Sequence, residues 1–297
     1  MDHTKKQSRS SFTGKIGFIL AAAGSAVGLG NIWRFPYLAA QYGGGIFLLV
    51  YLILAVTFGF TLMITEIALG RKTGLSAAGA FSKLDKRFSF LGKLSSLVPM
   101  IIFPYYSVIG GWVTKYCADF ITGRSSQAAG ENYFNQFITQ PVEPVIWLCL
   151  FIFATAAVVL FGVEGGIEKV SRLLMPILVI LSMVIAVYTI TQPGAWEGVK
   201  YYLMPDFSRF SGTTVLAALG QLFYSMSLAM GIMITYGSYM KREVDLEHSV
   251  GMIELFDTGI AFLAGLMIVP SVFVFSGGDE AALGKGPGLM FDTLPKV

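Results

Sequence analysis

The stretch AGSAVGLGN, residues 23–31, lies inside an apolar run long enough to cross a membrane as a helix. Gly24, Gly28, Gly30 and Asn31 fall within eight positions of one another. Each glycine costs a helix about 1 kcal/mol against alanine, and an amide side chain at membrane depth needs a partner. Two readings fit these residues. Gly24-x-x-x-Gly28 is the small-residue spacing that lets two helices pack closely. Alternatively, the helix is built to stop here. Gly28-Leu-Gly30 is not a dinucleotide fingerprint, because no strand precedes it.

Composition assigns the class. Apolar residues make up 55% of the 297-residue chain and charged residues 13%, with a mean hydropathy of +0.68. A soluble domain carries about twice that charge, so the chain reads as an all-α, polytopic membrane protein. Cys117 and Cys149 both fall in apolar runs and read as small buried hydrophobes. The three asparagines, Asn31, Asn132 and Asn135, form no glycosylation sequon, which suits a bacterial inner membrane. A polar lead of about a dozen residues precedes a segment too long and too glycine-interrupted for a cleaved signal. Nothing suggests a nucleic-acid surface.

Hydropathy predicts seven spans, over 13–39, 45–69, 90–121, 144–161, 170–190, 213–240 and 249–275. Lys5, Lys6, Arg9 and Lys15 precede or open the first span. Arg71, Lys72, Lys83, Lys86, Arg87 and Lys93 lie between the second and third, and Lys169, Arg172, Lys241 and Arg242 fall on the same side. The positive-inside rule then puts the N-terminal tail, residues 1–12, in the cytoplasm. The bundle covers 13–276, and residues 277–297 are expected as an external loop at which the chain ends.

The sixth predicted span repeats the oddity of the first. QLFYSMSLAMG, residues 221–231, puts Gln, Tyr and two Ser at mid-depth and closes on glycine. Non-helical backbone survives in a membrane only where it lines a cavity or is buried in protein. Interrupted spans at the first and sixth places fit an inverted-repeat transporter, with a first repeat over 13–190 and the start of a second over 213–276. Asn31 and Arg34 directly behind the glycines favour this stopped-helix reading, since a mid-membrane polar cluster marks a site by default. Enzyme chemistry is not expected: His3 and His248 sit in the tail and at a loop edge, away from any nucleophile.

GSAVGLGNIWRFPYLAAQYGGGIF, with TEIALGR, YYSVIGGW and QLFYSMSLAMGIMITYGSY, resembles the neurotransmitter:sodium symporter family and, within it, the bacterial amino-acid transporter branch. The resemblance runs over nearly the whole chain, but the family has about twelve spans and the match stops after seven. It implies sodium-coupled symport of a small amino acid by alternating access. Its alternative is a truncated chain that binds or does nothing.

Residue by residue, the resemblance implies one sodium held by the Ala26 carbonyl and the side chains of Asn31, Ser225 and Asp257. A second sodium takes the carbonyls of Gly24 and Val27, with its other ligands on spans beyond this sequence. The amides of Leu29 and Gly30 and the Tyr106 hydroxyl receive the substrate carboxylate. Ser25, Ala26, Ile102, Phe223, Ser225, Ser227, Ala229 and Met230 wall the pocket, and Tyr224 closes it. Arg34 corresponds to an outer gate, Arg9 and Phe12 to a cytoplasmic latch, and Glu66 to a structural acid near the broken helices. Gly28 stands where amine-transporting relatives carry an aspartate, which points to amino acids, hydrophobic or aromatic by the apolar Ile102 and Met230. Asp257 supplies a fixed charge where chloride-dependent relatives are neutral, so chloride is not expected to be required. Tyr51, Gln221 and Ser225 match the positions around that anion. The partners implied are the amino acid and the lipid bilayer; the oligomeric state is left open.

Overall fold

The computed structural model describes Phe12 and residues 14–297, with the side chains of all of these except 284–287. The fold is helical throughout the described residues, with one isolated bridge between Gly44 and Pro205. Helix α1 (Lys15–Ala26) and the segment Gly30–Gln41, which contains α2 (Phe35–Gln41), form the first span, bent by 45° at the quoted glycines. The second span is continuous over Gly45–Thr73 as α3 (Gly45–Leu54) and α4 (Phe60–Thr73), joined by a π-helical turn at Ala55–Gly59. Gly74 closes α4 in the left-handed conformation, behind Arg71 and Lys72, which suit the negative end of the helix dipole.

Helix α5 (Ala77–Leu84) lies between spans two and three, and α6 (Ser89–Ile121) forms the third span. Short helices α7 (Ser125–Ala128) and α8 (Tyr133–Ile138) lead to α9 (Glu143–Leu160), the fourth span. Helix α10 (Lys169–Ile190) is the body of the fifth. After α11 (Ala195–Leu203), the sixth span appears as α12 (Gly212–Ser225) and α13 (Ile232–Gly237), neither long enough alone to cross hydrocarbon. Ser211 caps α12 through its side chain and Asp245 caps α14 (Leu246–Ser276), the seventh span. Among the described residues, five helices are long and apolar enough to cross a membrane, or six with the bent first pair. The broken sixth falls outside that count because its two helices, of 14 and 6 residues, are both short and are separated by residues 226–231.

Helix α14 forms the centre: 67% of its apolar window is buried, against none of that of α9 at the rim. It packs along α1, α2, α10 and α11. Helices α4 and α13 cross with Gly70 against the Ile234 carbonyl and Gly237 against the Ile67 carbonyl, where any Cβ would collide with backbone. Residues 277–297 fold into helical turns around α15 (Leu289–Thr293). The cause is Phe291, which stacks on Phe134 at 4.6 Å and meets Trp112 and Tyr116 edge-on or tilted. Phe12 is buried against Phe18 and stacked on Tyr236 at 5.9 Å, holding the start of the described chain onto α13. Arg9 lies outside the described residues.

Candidate functional site

The backbone ladder of α1 ends when the Val27 N–H reaches the Ala23 carbonyl and Val27 turns extended. The Gly28 N–H then turns to the Asn31 side-chain oxygen at 3.0 Å, and the N–H groups of Asn31 and Ile32 both return to the Gly28 carbonyl. No backbone hydrogen bond from Leu29 or Gly30 is made among the described residues. The carbonyls of Gly24, Ser25, Ala26 and Val27 therefore lack their i+4 donors. One short break presents both carbonyls and amides that are released from the helical ladder.

The second break is tied down differently. Between α12 and α13, Ser227, Ala229 and Gly231 all have positive φ, at 55°, 60° and 71°. For Ser and Ala the left-handed conformation costs on the order of 1–3 kcal/mol each, so the surroundings must impose it. Glu66 on α4 accepts the Ala229 N–H at 2.6 Å, and its other carboxylate oxygen is buried without a partner. Gly30 lies where a Cβ would meet the Tyr224 ring and Ser225 Cα at 3.2 and 3.3 Å, so its lack of a side chain lets the two breaks touch.

Between them sits Asp257 of α14. Its Oδ1 accepts Asn31 Nδ2 at 2.8 Å and Ser225 Oγ at 2.7 Å, and its Oδ2 accepts the Tyr51 hydroxyl at 3.2 Å. Asn31 Nδ2 also reaches the Asp257 carbonyl at 2.8 Å. All four side chains are essentially sealed from the surface. No Lys or Arg pairs with Asp257 among the described residues. A carboxylate buried among neutral donors is costly unless a cation joins it. The oxygens around it are hard donors suited to a cation such as sodium, and no group of His, Cys, Asp and Glu that could hold a transition metal occurs among the described residues.

Towards the Arg34 side the site is aromatic. Tyr106 on α6 packs against Tyr224 at 5.7 Å, and its hydroxyl faces the Gly30 N–H. The Tyr224 hydroxyl is buried beside the Tyr106 hydroxyl. Arg34 lies 4.8 Å over the Tyr224 ring and donates to Gln221 Oε1 at 2.9 Å. Gln221 in turn donates from Nε2 to the Gly30 carbonyl at 2.8 Å. Of the three residues matched to an anion position, Tyr51 and Ser225 thus bond to Asp257, while Gln221 joins Gly30 to Arg34.

The remaining expected residues fall as follows. Ser225, Ser227 and Met230 stand on or beside the second break, with Ala229 exposed there, and Ile102 is half-buried one turn before Tyr106. Ser25 faces the Tyr236 hydroxyl on α13. Gly24 packs on Ser171 and Met175 of α10, and Val27 is buried beside Met175 and Ile260. Phe223, expected in the wall, instead packs on Phe58 at 6.1 Å, a residue on the exposed face of span two. One helical step separates it from Tyr224, and that step turns its ring outwards. Sequence reasoning missed a buried cluster at the C-terminal end of α6. There Lys115 Nζ lies 2.6 Å from Asp119 and 3.4 Å from Glu143, and the Tyr133 hydroxyl donates to Asp119 at 2.6 Å. Its i,i+4 Lys–Asp spacing was the available signal.

With two broken spans meeting at a buried acid, the geometry is that of an ion-and-solute site inside a helical membrane bundle. The chain belongs to the Sodium:neurotransmitter symporter family, whose family model matches residues 9–140 and 134–297. It is 37% identical over 288 residues to YhdH of Bacillus subtilis strain 168, named an uncharacterized sodium-dependent transporter, covering 95% of this chain and 63% of YhdH. It is 29% identical over 344 residues to the human sodium- and chloride-dependent taurine transporter, covering 99% of this chain and 55% of that one. Among solved structures, MhsT in complex with L-phenylalanine superposes with a TM-score of 0.90 at 39% identity, over 97% of this chain and 66% of MhsT. The chain therefore spans just under two thirds of the length of YhdH and of MhsT.

Proposed function

We propose that this protein takes part in sodium-coupled symport of a small hydrophobic or aromatic amino acid by alternating access, as a multi-pass protein of the cell membrane with a cytoplasmic N-terminus. The observation that carries the reading is the Asp257 carboxylate, sealed among neutral donors at the meeting point of both broken helices. Such an anion calls for a cation, and sodium fits the hard oxygens of Ala26, Asn31, Ser225 and Asp257. A second sodium would use the Gly24 and Val27 carbonyls. The substrate carboxylate would lie against the Leu29 and Gly30 amides and the Tyr106 hydroxyl. Placed there, it would complete the first sodium's shell and tie solute to ion. Phenylalanine bound to MhsT supports the aromatic class of solute. The charge of Asp257 makes chloride unnecessary here, in contrast to what the name of the taurine relative states for that protein.

The test is uptake of labelled L-phenylalanine into proteoliposomes under an inward sodium gradient, with choline in place of sodium and gluconate in place of chloride. Uptake that needs sodium and survives gluconate supports the reading; uptake indifferent to sodium refutes it. Sodium-dependent binding without uptake would favour the second reading, a chain that binds but does not transport alone. The share of its relatives' length that the chain spans makes that reading worth separating.

A further inference from the structure

We propose that the turn joining spans two and three is a binding surface for anionic phospholipid headgroups. Residues 71–93 carry Arg71, Lys72, Lys83, Lys86, Arg87 and Lys93 against a single acid, Asp85. That acid is already engaged, since its carboxylate lies 2.8 Å from Arg87 Nη2 and also accepts the Arg87 backbone N–H. Arg71 donates to the Val244 carbonyl, and Lys83 Nζ donates to the Thr73 carbonyl at 2.8 Å. The Lys83 bond pins the end of α5 against the end of α4, so cations distant in sequence share one edge of the bundle. Lys72, Lys86 and Lys93 are exposed and make no hydrogen bond or ion pair among the described residues.

What makes the occupant a lipid is the apolar surface interleaved with these charges. Phe88 and Phe90 are 50% and 59% exposed, and Leu94 and Leu97 continue the same exposed run into α6. Helix α6 has 33 residues, or about 50 Å at 1.5 Å per residue, against a hydrocarbon core of about 30 Å. Its first turns therefore stand at headgroup depth, with phenylalanine rings at the acyl boundary and lysine amines level with phosphates. Lysine stems lie along apolar surface while their amines reach for charge. A soluble acidic partner would leave the aromatic and leucine side chains unmatched; a phosphodiester headgroup with its own acyl chains meets both.

The experiment uses the full chain in vesicles of equal phosphatidylglycerol and phosphatidylcholine, extracted in detergent, washed, and assayed for co-purifying lipid. Wild type is expected to retain phosphatidylglycerol in preference to phosphatidylcholine. Each of Lys72→Gln, Lys86→Gln and Lys93→Gln is expected to weaken that retention about fivefold, from the worth of one cation near an anionic surface. The matched variant Lys200→Gln, on α11, is expected to leave retention unchanged. Washing wild type at 1 M salt, where the Debye length falls to about 3 Å, should erase the preference without any substitution. Equal retention of both lipids, or a preference untouched by salt or by all three variants, overturns the proposal.

Discussion

Replacing Asp257 by Asn removes one charge from a site whose hydrogen bonds can largely persist. Asn keeps an oxygen for Asn31 Nδ2 and Ser225 Oγ, and its amide can donate to the Tyr51 hydroxyl that now donates to Oδ2. The fold should survive, which isolates the electrostatic effect. A cation ligated by the carboxylate gains at least about 4 kcal/mol, the value for charges about 4 Å apart at an effective dielectric of about 20. Desolvating the charged acid takes part of that gain back, so a net loss of about 3 kcal/mol, near two decades in sodium affinity, is expected. The assay is equilibrium binding of labelled L-phenylalanine as a function of sodium, in chloride and in gluconate. Wild type should bind equally in both salts. The variant should need about 100-fold more sodium in gluconate and recover part of the loss in chloride, where a mobile anion replaces the missing charge. An unchanged sodium midpoint in the variant would refute the assignment of Asp257 to the cation. So would a wild type that binds only in chloride.

Tyr106→Phe should weaken amino-acid binding about 10- to 100-fold with little change in thermal stability, because it removes one charge-assisted hydrogen bond to a carboxylate; an unchanged Kd would remove Tyr106 from the site. Lys115→Met leaves Asp119 buried without its cation and should cost about 3–5 kcal/mol, read as a drop in melting temperature in detergent; adding Asp119→Leu should restore much of it, and no rescue would show that the ion pair is not the cause. At the loop before α12, hydrogen bonds from the Ser208 hydroxyl and amide hold the Asp206 carboxyl below its usual range. A depressed folded pKa means that the turn's stabilisation is present above the unfolded value, near 3.9, and fades as pH falls through the lower folded value. Hydrogen exchange at the Ser208 amide should therefore stay protected at pH 5 and lose protection only in strong acid; an Asp206→Asn variant should not share that acid-induced loss.

The two breaks were legible because each breaks a local rule. Glycines and an asparagine in hydrocarbon are expensive, so their presence in residues 23–31 and 221–231 marked the bends now seen after Ala26 and Ser225. The Asp257 cluster was only partly readable. Asn31, Ser225 and Asp257 are separated by 32 to 226 positions, and periodicity says nothing about contacts of that range. Family resemblance supplied them. Phe223 and Tyr224 show the same limit at closer quarters: both are aromatic rings in one polar segment, and only the azimuth of α12 decides that Phe223 faces Phe58 and Tyr224 faces Tyr106. The 277–297 segment escaped for a different reason. Its glycines and prolines read as loop, while the aromatic slot formed by Trp112, Tyr116 and Phe134 that receives Phe291 comes from other parts of the chain.

Gln221 has a mechanical meaning. Its amide nitrogen grips the carbonyl at the first break, while its oxygen takes the guanidinium two residues before Pro36. A single rigid planar group thus bolts α12 to the upper half of the first span at two points, and a two-point fastening resists rotation as well as separation. The lower halves, α1 and α13, meet where Ser25 faces the Tyr236 hydroxyl; each is joined to its upper half through unwound backbone. Any swing of one half-span against the other should therefore carry α2 and α12 together as a single lever, with its axis through the bonded amide.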